Sequence, residues 1–268
     1  WLASHKGEFG KVIPVLPLQA ALEIVLDKQR TLQVAKFLGM AIPETAEPRS
    51  ILEAEQLAQR LRFPVVLKWS DPNVAMQYLG PHGIHLVKAE YAYSPEEFLL
   101  ISRRYLPAGK WPLVQEYCPG VGLGQFFYMH EGKPIRQFQH IRIAEWPPEG
   151  GFSSVCDAVP LTEHLELQAQ SIALLKAIGW EGVAMVEYRY DPKTRRAVLM
   201  EINGRYWGSY PLAMHSGANF ALISYYLNSG LGIPNLSEIN THLRCRMIVT
   251  EIKRLVRILF QNKLIVDR

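Results

Sequence analysis

The sequence has few cysteines, a small net charge and no long apolar run. Its 268 residues include three cysteines, and Cys118, Cys156 and Cys245 lie too far apart for a paired-cysteine metal motif or a disulfide framework. No run of eighteen apolar residues occurs, so no membrane span is expected. The formal net charge of +4 comes without a long basic block, which gives no reason to expect nucleic acid as a partner. These absences favour a cytoplasmic protein with reduced thiols.

Other absences narrow the class further. The eight histidines show no HExxH or paired spacing, which makes a zinc site improbable. No signal-peptide pattern follows Trp1, and we expect the chain to be part of a longer protein. The apolar fraction of 49% and the charged fraction of 20% are typical of a globular protein.

Turn-forming residues divide the chain into four expected segments. Residues 1–17 are expected to be a linker, and residues 11–17 within it are expected to be extended, because two prolines in seven residues disfavour a helix. Residues 18–110 and 111–235 are predicted to be two α+β units, separated by the break at 107–112. Residues 236–268 are predicted to be a helical segment with basic residues, for which packing on the core is favoured over a role at a membrane surface.

Local patterns predict the elements of both units. In the first unit they are a helix over 18–38 ended by Gly39, a helix capped by Ser50 with Glu53 completing a capping box, a strand over 63–68, a loop over 69–83, a strand over 84–88 and a helix opened by Ser94 and Pro95. In the second unit they are strands over 113–117, 125–130 and 134–143, a helix over 162–178, strands over 183–190 and 197–203, and a helix over 212–229.

Two carboxylates and an amide occupy neighbouring predicted strands. Alternation places Glu187 on one face of the first strand, with Met185 and Arg189, and places Glu201 and Asn203 on one face of the second, with Leu199. If Asp191 pairs with Ala197 across the turn, Glu187 lies opposite Glu201, where Cβ atoms are about 4.5–5.5 Å apart.

Such a carboxylate pair is repulsive unless a cation lies between the two groups. Oxygen ligands of this kind are those that Mg²⁺ prefers. The alternative is an exposed strand pair with solvated glutamates. The segment Met200–Arg205 favours the metal site, because its carboxylate, amide and guanidinium alternate with uncharged residues and are expected to project to one side.

The Glu-x-Asn-x-Arg segment, preceded by a glutamate on the neighbouring strand, resembles the metal-binding end of the ATP-grasp superfamily. Members include biotin carboxylase, carbamoyl phosphate synthetase and D-alanine–D-alanine ligase. The resemblance covers roughly residues 11–228 and implies an α+β ATP-grasp fold, with ATP held between two subdomains. It also implies a front domain that precedes the Asp-Lys helix and that this chain lacks.

The resemblance extends to further segments in the family order. Lys28, at an Asp-Lys helix start, and Lys68, at the end of a strand, resemble the lysines that contact ATP phosphates. Glu116 and Cys118 match the hinge that binds adenine through its main chain.

Basic residues and a ribose contact are carried over in the same way. His140 and Arg142 match a segment that supplies a basic group to the transferring phosphate, and Arg205 would help Arg142 to hold the acyl phosphate. Gln125 is a stand-in for the acidic residue that contacts ribose in relatives. The loop over 69–84 departs from the family pattern, because it carries only Gly80 and Gly83 where many relatives have a glycine run. The loop over 147–154 is interpreted equally well as a phosphate-binding loop or an ordinary connection.

The implied function is a Mg²⁺- and ATP-dependent ligase, with Mn²⁺ as an alternative metal. It would activate a carboxylate as an acyl phosphate for attack by an amine or thiol. A non-catalytic ATP-binding module and a kinase-like phosphotransferase remain alternatives. The expected partners are small molecules, and a homodimer is left open.

Overall fold

A computed structural model of the chain describes Leu2 and residues 5–10, 15–87, 89–148 and 151–260. It divides into a small unit, Leu26–Arg30 with Ile42–Cys118, and a large unit, Trp1–Val25 with Thr31–Ala41 and Pro119–Arg268. The division after Cys118 differs from the expected boundary at residue 110, because the strand that begins at Leu113 pairs inside the sheet of the small unit. Part of the predicted linker over 1–17 lies outside the described residues. In the described part of the chain, no helix is long and apolar enough to cross a membrane.

The small unit is an antiparallel sheet with two helices packed on its apolar residues. Its strands, in the order β1-β4-β2-β3 across the sheet, are β1 (Thr45–Ala46), β2 (Val65–Lys68), β3 (Glu90–Ala92) and β4 (Leu113–Glu116). The helices α3 (Ile51–Ala58) and α5 (Pro95–Arg104) contribute Ala54 and Phe98 to its core. The predicted caps are confirmed, because Ser50 accepts from Glu53 N and Ser94 accepts from Glu97 N.

Two predictions for the small unit are wrong. The segment predicted as a loop over 69–83 contains the helix α4 (Pro72–Leu79), in which Asp71 accepts from the backbone N–H of Asn73 and Val74. The strand predicted over 84–88 is not formed at residues 84–87, Lys88 lies outside the described residues, and the strand of this region is β3. Asp71 followed by Pro72 is an ordinary helix start. Gly80 and Gly83, which come later in the segment, are also typical of loops and led to the wrong prediction.

The helix predicted over 18–38 is two helices. These are α1 (Gln19–Leu26) and α2 (Lys28–Phe37). Asp27 separates them, and its Oδ1 accepts from Gln29 N at 2.9 Å, so the side chain caps the second helix. The helix start at Lys28 that the family resemblance implied is therefore confirmed.

The large unit is built on a six-stranded antiparallel sheet of order β10-β7-β6-β5-β8-β9. Its strands are β5 (Val121–His130), β6 (Lys133–Trp146), β7 (Phe152–Ala158), β8 (Gly182–Asp191), β9 (Arg196–Asn203) and β10 (Arg244–Arg246). Its later helices are α6 (Leu165–Ile178), α7 (Tyr210–His215) and α8 (Phe220–Asn228). The last two replace the single helix predicted over 212–229, because Gly217 adopts a positive φ of 93° between them.

Helices cover both sides of this sheet. On one side, Ser171 of α6 contacts Gln125 and Tyr188 of the sheet. On the other side, α7 and α8 pack with Phe126 and Met185 in an apolar core. The charged residues considered below lie next to that core, further along the same strands.

The last described helix, α9 (Ile248–Phe260), turns its polar groups towards the sheet. Glu251 contacts the Ser154 hydroxyl, and the Arg257 guanidinium lies 5.9 Å from the centre of the Trp146 ring. Its apolar residues are exposed instead, with Leu255 at 57% and Phe260 at 81%. The prediction that this segment packs its apolar face on the core, with a solvated basic face, is therefore wrong for the described part.

Candidate active site

Four charged side chains form an alternating chain across the large sheet. Arg189 Nη1 contacts Glu145 Oε1 at 3.0 Å, and the same oxygen lies 3.6 Å from Arg142 Nη1. Arg142 Nη2 then binds Glu187 Oε2 at 2.6 Å. All four side chains are at most 18% exposed, so these charges are largely removed from water and depend on one another.

Glu187 connects this row of four charged side chains to the other predicted metal ligands, Glu201 and Asn203. It lies directly opposite Glu201 in the β8–β9 pair, which confirms the predicted pairing, and Asn203 Nδ2 donates to Glu201 Oε1 at 3.0 Å. Burial raises the pKa of Glu187, Arg142 opposes this rise, and Glu201 and Glu145 add to it. Burial also acts to lower the pKa of Arg142, but the carboxylates of Glu187 and Glu145 reverse this effect and the pKa is raised.

A β-bulge produces this pairing. Beside the turn, Asp191 pairs with Arg196 rather than with the predicted Ala197. A regular ladder from there would place Glu187 opposite Met200 and would turn Glu201 to the other side of the sheet. The register shifts between Glu187 and Tyr188, where the partner residue changes from Glu201 to Leu199. Met200 is thus the additional residue, and Leu199 faces α6 together with Tyr188 instead of sharing the face of Glu201.

The donor set fits a divalent cation in its chemistry. Glu187 and Glu201 bring two carboxylates together where charge is poorly solvated, and Asn203 adds an amide oxygen. In the described residues, no group of three His, Cys, Asp or Glu side chains could hold a metal. Two carboxylates and one amide suit Mg²⁺ in their chemistry, because this ion usually takes few protein ligands and keeps water and substrate phosphate oxygens around it.

The predicted nucleotide ligands of the small unit lie at the ends of regular elements. Lys28 is the first residue of α2, and Lys68 is the last residue of β2, where it pairs with Leu113 of β4. Glu116 ends β4, and its N–H donates to Glu44 O at 2.8 Å. Cys118 follows it, buried, with its thiol 3.8 Å from Glu116 O. These positions match the predicted order, and the nucleotide contacts stay predictions.

Two predicted ligands lie in the core. Gln125 is fully buried on the side of the sheet that α6 covers, where it donates to Gln139 Oε1 at 2.8 Å and accepts from Ser171. Its side chain therefore lies on the side of the sheet opposite to Glu187, and the contact with ribose stays a prediction. His140 shares that side but is fully buried beside Phe126, and burial lowers its pKa to about 3. A neutral, enclosed imidazole does not supply positive charge to phosphate in this structure.

Arg205 lies outside the predicted alternation. β9 ends at Asn203, and Arg205 is exposed, with Nη1 donating to Tyr206 O at 3.1 Å. Residues 149 and 150 of the loop over 147–154 lie outside the described residues. Gly151 of that loop already donates its N–H to Glu145 Oε2 and accepts from Arg142 Nη1, both at 3.0 Å.

Glu145 and Arg189 are functional candidates that the predicted ligand set did not include. These two side chains meet only because β6 and β8 both lie beside β5 in the sheet. One signal was present in the sequence, since Glu187 and Arg189 are two residues apart on β8 and therefore share a face.

Comparison with known proteins identifies a sequence family over this part of the chain. The family described as "Carbamoyl-phosphate synthase L chain, ATP binding domain" matches residues 157–235, which include β8 and β9. The chain is 28% identical over 233 residues to the carbamoyl phosphate synthase large chain of Halomonas eurihalina. It is also 28% identical over 225 residues to that of Pseudomonas syringae pv. tomato. These matches cover 81% and 79% of the chain but 20% of each relative, so the chain spans about a fifth of their length.

Solved structures show a similar fold. The biotin carboxylase domain dimer of the Hydrogenobacter thermophilus 2-oxoglutarate carboxylase, in complex with MgADP, ADP and bicarbonate, matches with a TM-score of 0.67 and 17% identity, covering 91% of this chain and 55% of that one. Biotin carboxylase from Campylobacter jejuni, in complex with β-γ-ATP, gives 0.68 and 15%, covering 91% and 56%. The resemblance drawn from the sequence is thus confirmed at the level of the fold.

Proposed function

Since this chain has the ATP-grasp fold, we propose that it is the ATP-binding and catalytic part of a ligase that activates a carboxylate as an acyl phosphate. An amine or thiol would then attack the acyl carbon and release phosphate. The relatives named above include carbamoyl phosphate synthase and biotin carboxylase. Their names support the reaction class and leave the substrates of this chain to experiment.

The carboxylate pair Glu187–Glu201 is the observation that carries this proposal. A protein that needed only stability would gain little from opposing two carboxylates beside two further buried charges, because removing charge from water is costly. A cation and a polyphosphate would turn the same arrangement into a favourable one, since both signs of charge are then matched.

The proposed division of labour follows the charge on each side chain. Lys28 and Lys68 would neutralise nucleotide phosphate, and the backbone near Glu116 and Cys118 would bind the adenine edge. Arg142 would bind the transferring phosphoryl group, because Glu145 and Glu187 hold its guanidinium beside the proposed metal ligands. Arg205, which is exposed next to the strand end, would hold the acyl phosphate.

Glu187, Glu201 and Asn203 would hold Mg²⁺, with Mn²⁺ as an alternative. When bound, this ion supplies charge neutralisation at the phosphates. The chain's own contribution is to fix the two carboxylates at neighbouring positions of a sheet. Holding ATP and a carboxylate side by side would then supply the proximity that the first step requires.

The partners and location follow from the same proposal. The acceptors would be a small carboxylate and an amine or thiol, and the protein would be cytoplasmic. A homodimer is a further part of the proposal, and sedimentation of the purified protein would test that oligomeric state.

The experiment is a carboxylate screen with the purified protein. The protein is incubated with Mg-ATP and pools of carboxylates, with and without amines and thiols, while phosphate, ADP and the acceptors are quantified. Phosphate release that depends on a carboxylate, with equimolar loss of an amine or thiol, supports the ligase. A stable phosphoester product would identify a phosphotransferase, and nucleotide binding without turnover in any pool would identify a binding module. Glu201→Gln serves as the catalytically impaired control.

A further inference from the structure

The side chain of Arg142 crosses a strand to reach its partner. Arg142 lies on β6 and Glu187 lies on β8, and β5 runs between these two strands. The two residues nevertheless bind at 2.6 Å. Neighbouring strands lie about 4.8 Å apart, so the guanidinium must span two strand spacings across the surface of β5. A side chain on that surface would stand in its way.

β5 carries glycine at the two positions that face this crossing. Gly122 pairs with Arg189 and Gly124 pairs with Glu187 on the β8 side, so both glycines face the charged residues. A Cβ atom built on Gly122 would lie 2.4 Å from Arg142 Cδ, 3.0 Å from Nε and 3.1 Å from Cγ. These atoms are the middle of the arginine side chain, so the whole guanidinium would have to move away.

Gly124 makes room for different groups. A Cβ atom there would lie 2.6 Å from Phe126 Cζ and 2.9 Å from His140 Nε2. Glycine weakens a strand interior, because it provides no side chain to pack and loses more conformational freedom on folding. Gly122 carries this cost although no positive φ requires glycine there, which leaves the close approach of Arg142 as the physical reason for it.

We infer that Gly122 is a positioning residue, whose missing side chain lets Arg142 reach across β5 to Glu187 and so places the guanidinium at the reacting phosphate. The placement is a property of the fold and is measurable without turnover. The consequence for catalysis rests on the proposed function. Gly122 itself touches no substrate in this account.

The first test is a double-mutant cycle on unfolding. Gly122→Ala, Arg142→Ala and the double variant are unfolded in urea with the parent, in metal-free buffer. Gly122→Ala is expected to raise the unfolding equilibrium constant at least tenfold in the parent and less than threefold in the Arg142→Ala background, where the added methyl has space. Equal effects in the two backgrounds overturn the inference, since residues that do not interact give additive effects.

Gly124→Ala is the matched control, because it places a methyl group on the same side of the same strand. Its methyl meets Phe126 and His140, so its effect should be the same with and without Arg142. A coupling to Arg142 as large as that of Gly122 would overturn the assignment to Gly122. If Arg142→Ala does not fold, the cycle is repeated with Glu187→Gln in every member, which removes the unpaired buried carboxylate.

The second test is catalytic and uses only folded protein. Gly122→Ala should lower kcat for carboxylate-dependent phosphate release at least tenfold in the parent and less than twofold in the Arg142→Ala background, with the KM for ATP within twofold. A purely structural role would lower kcat equally in both. If no carboxylate supports turnover, the proposed function fails while the unfolding cycle still decides the role of Gly122.

Discussion

The two sides of the large sheet bury polar groups in opposite ways. On the side covered by α6, the groups are neutral, and Ser171 donates to Gln125 Oε1 at 2.6 Å and lies 2.6 Å from the Tyr188 hydroxyl. On the other side, three carboxylates (Glu145, Glu187, Glu201) face two guanidiniums (Arg142, Arg189). Gln125, Ser171 and Tyr188 satisfy one another by hydrogen bonds, as buried polar groups of a structural core usually do. The charged side has an excess of negative charge, which is what a cation-binding site requires.

The largest effect should come from removing one carboxylate of the charged side. Glu201→Gln keeps the shape of the side chain and removes the charge opposite Glu187. Metal-dependent turnover should fall at least about 100-fold, as when one group that stabilises transition-state charge is lost, while the folded structure stays intact.

Steady-state phosphate release with Mg²⁺ or Mn²⁺ measures this effect, and circular dichroism checks the fold. Metal-free nucleotide binding should be retained or improved, because repulsion is reduced. Turnover at the parent rate would contradict the metal site.

A change on the neutral side should act on stability instead. Ser171→Ala leaves Gln125 Oε1 and the Tyr188 hydroxyl without their partner in a fully buried place. The free energy of unfolding should fall by about 1–3 kcal/mol, with kcat unchanged. Urea unfolding and turnover are measured on the same preparation. A loss of kcat as large as that of Glu201→Gln would end the distinction between the two sides.

The small unit extends the comparison to Lys68, a cation at the end of a buried strand. Lys68→Ala should weaken ATP binding about tenfold, or about 1.4 kcal/mol, because a charge expected at the phosphates is lost from the end of an apolar strand. Calorimetry with a non-hydrolysable analogue measures the affinity. Lys36→Ala, on the last turn of α2, is a control that should bind as the parent does.

The smallest effect concerns the pH dependence of stability in metal-free protein. The pKa of Glu187 is raised in the folded state, chiefly by burial, so the folded protein binds this proton more tightly than the unfolded chain. The contribution of Glu187 to stability is therefore present below the unfolded pKa and is lost as pH rises through the folded one, by at most about 1.4 kcal/mol per pH unit.

Glu187→Gln isolates the contribution of Glu187 to the pH dependence of stability. As pH rises above about 4.3, the variant should gain stability relative to the parent, and Mg²⁺ should reduce this difference by neutralising the site. A difference that does not change with pH would mean that Glu187 titrates alike in the folded and unfolded states.

Features encoded by a few adjacent residues could be predicted from the sequence. The caps at Ser50 and Ser94 depend on local backbone chemistry and are confirmed. The helix α4 was not predicted, although Asp71 and Pro72 form a helix-start signal, because glycines and prolines nearby are also typical of loops. The error in predicting α4 therefore came from a short segment that contains both helix-start residues and loop-forming residues.

Features that depend on which side of a sheet is covered could not be predicted in this way. Gln125 and His140 are polar residues on strands, and the sequence does not show that one lies beneath α6 and the other beside Phe126. Glu187 and Glu201 were predicted to be opposite from a turn register that is one residue different in the structure, and the bulge at Met200 restored the result. Strand alternation was enough to predict that Glu201 and Asn203 share a face, whereas the burial of Gln125 and His140 depends on tertiary packing.

The bulge at Met200 also determines how this hairpin tolerates insertions and deletions. Deleting Met200 would leave a regular ladder in which Tyr188 still pairs with Leu199 and Glu187 still pairs with Glu201. Deleting Leu199 and Met200 together would instead place Glu187 opposite Ile202. A deletion of one residue at this point thus leaves the two carboxylates opposite each other, whereas a deletion of two turns Glu201 to the other side of the sheet.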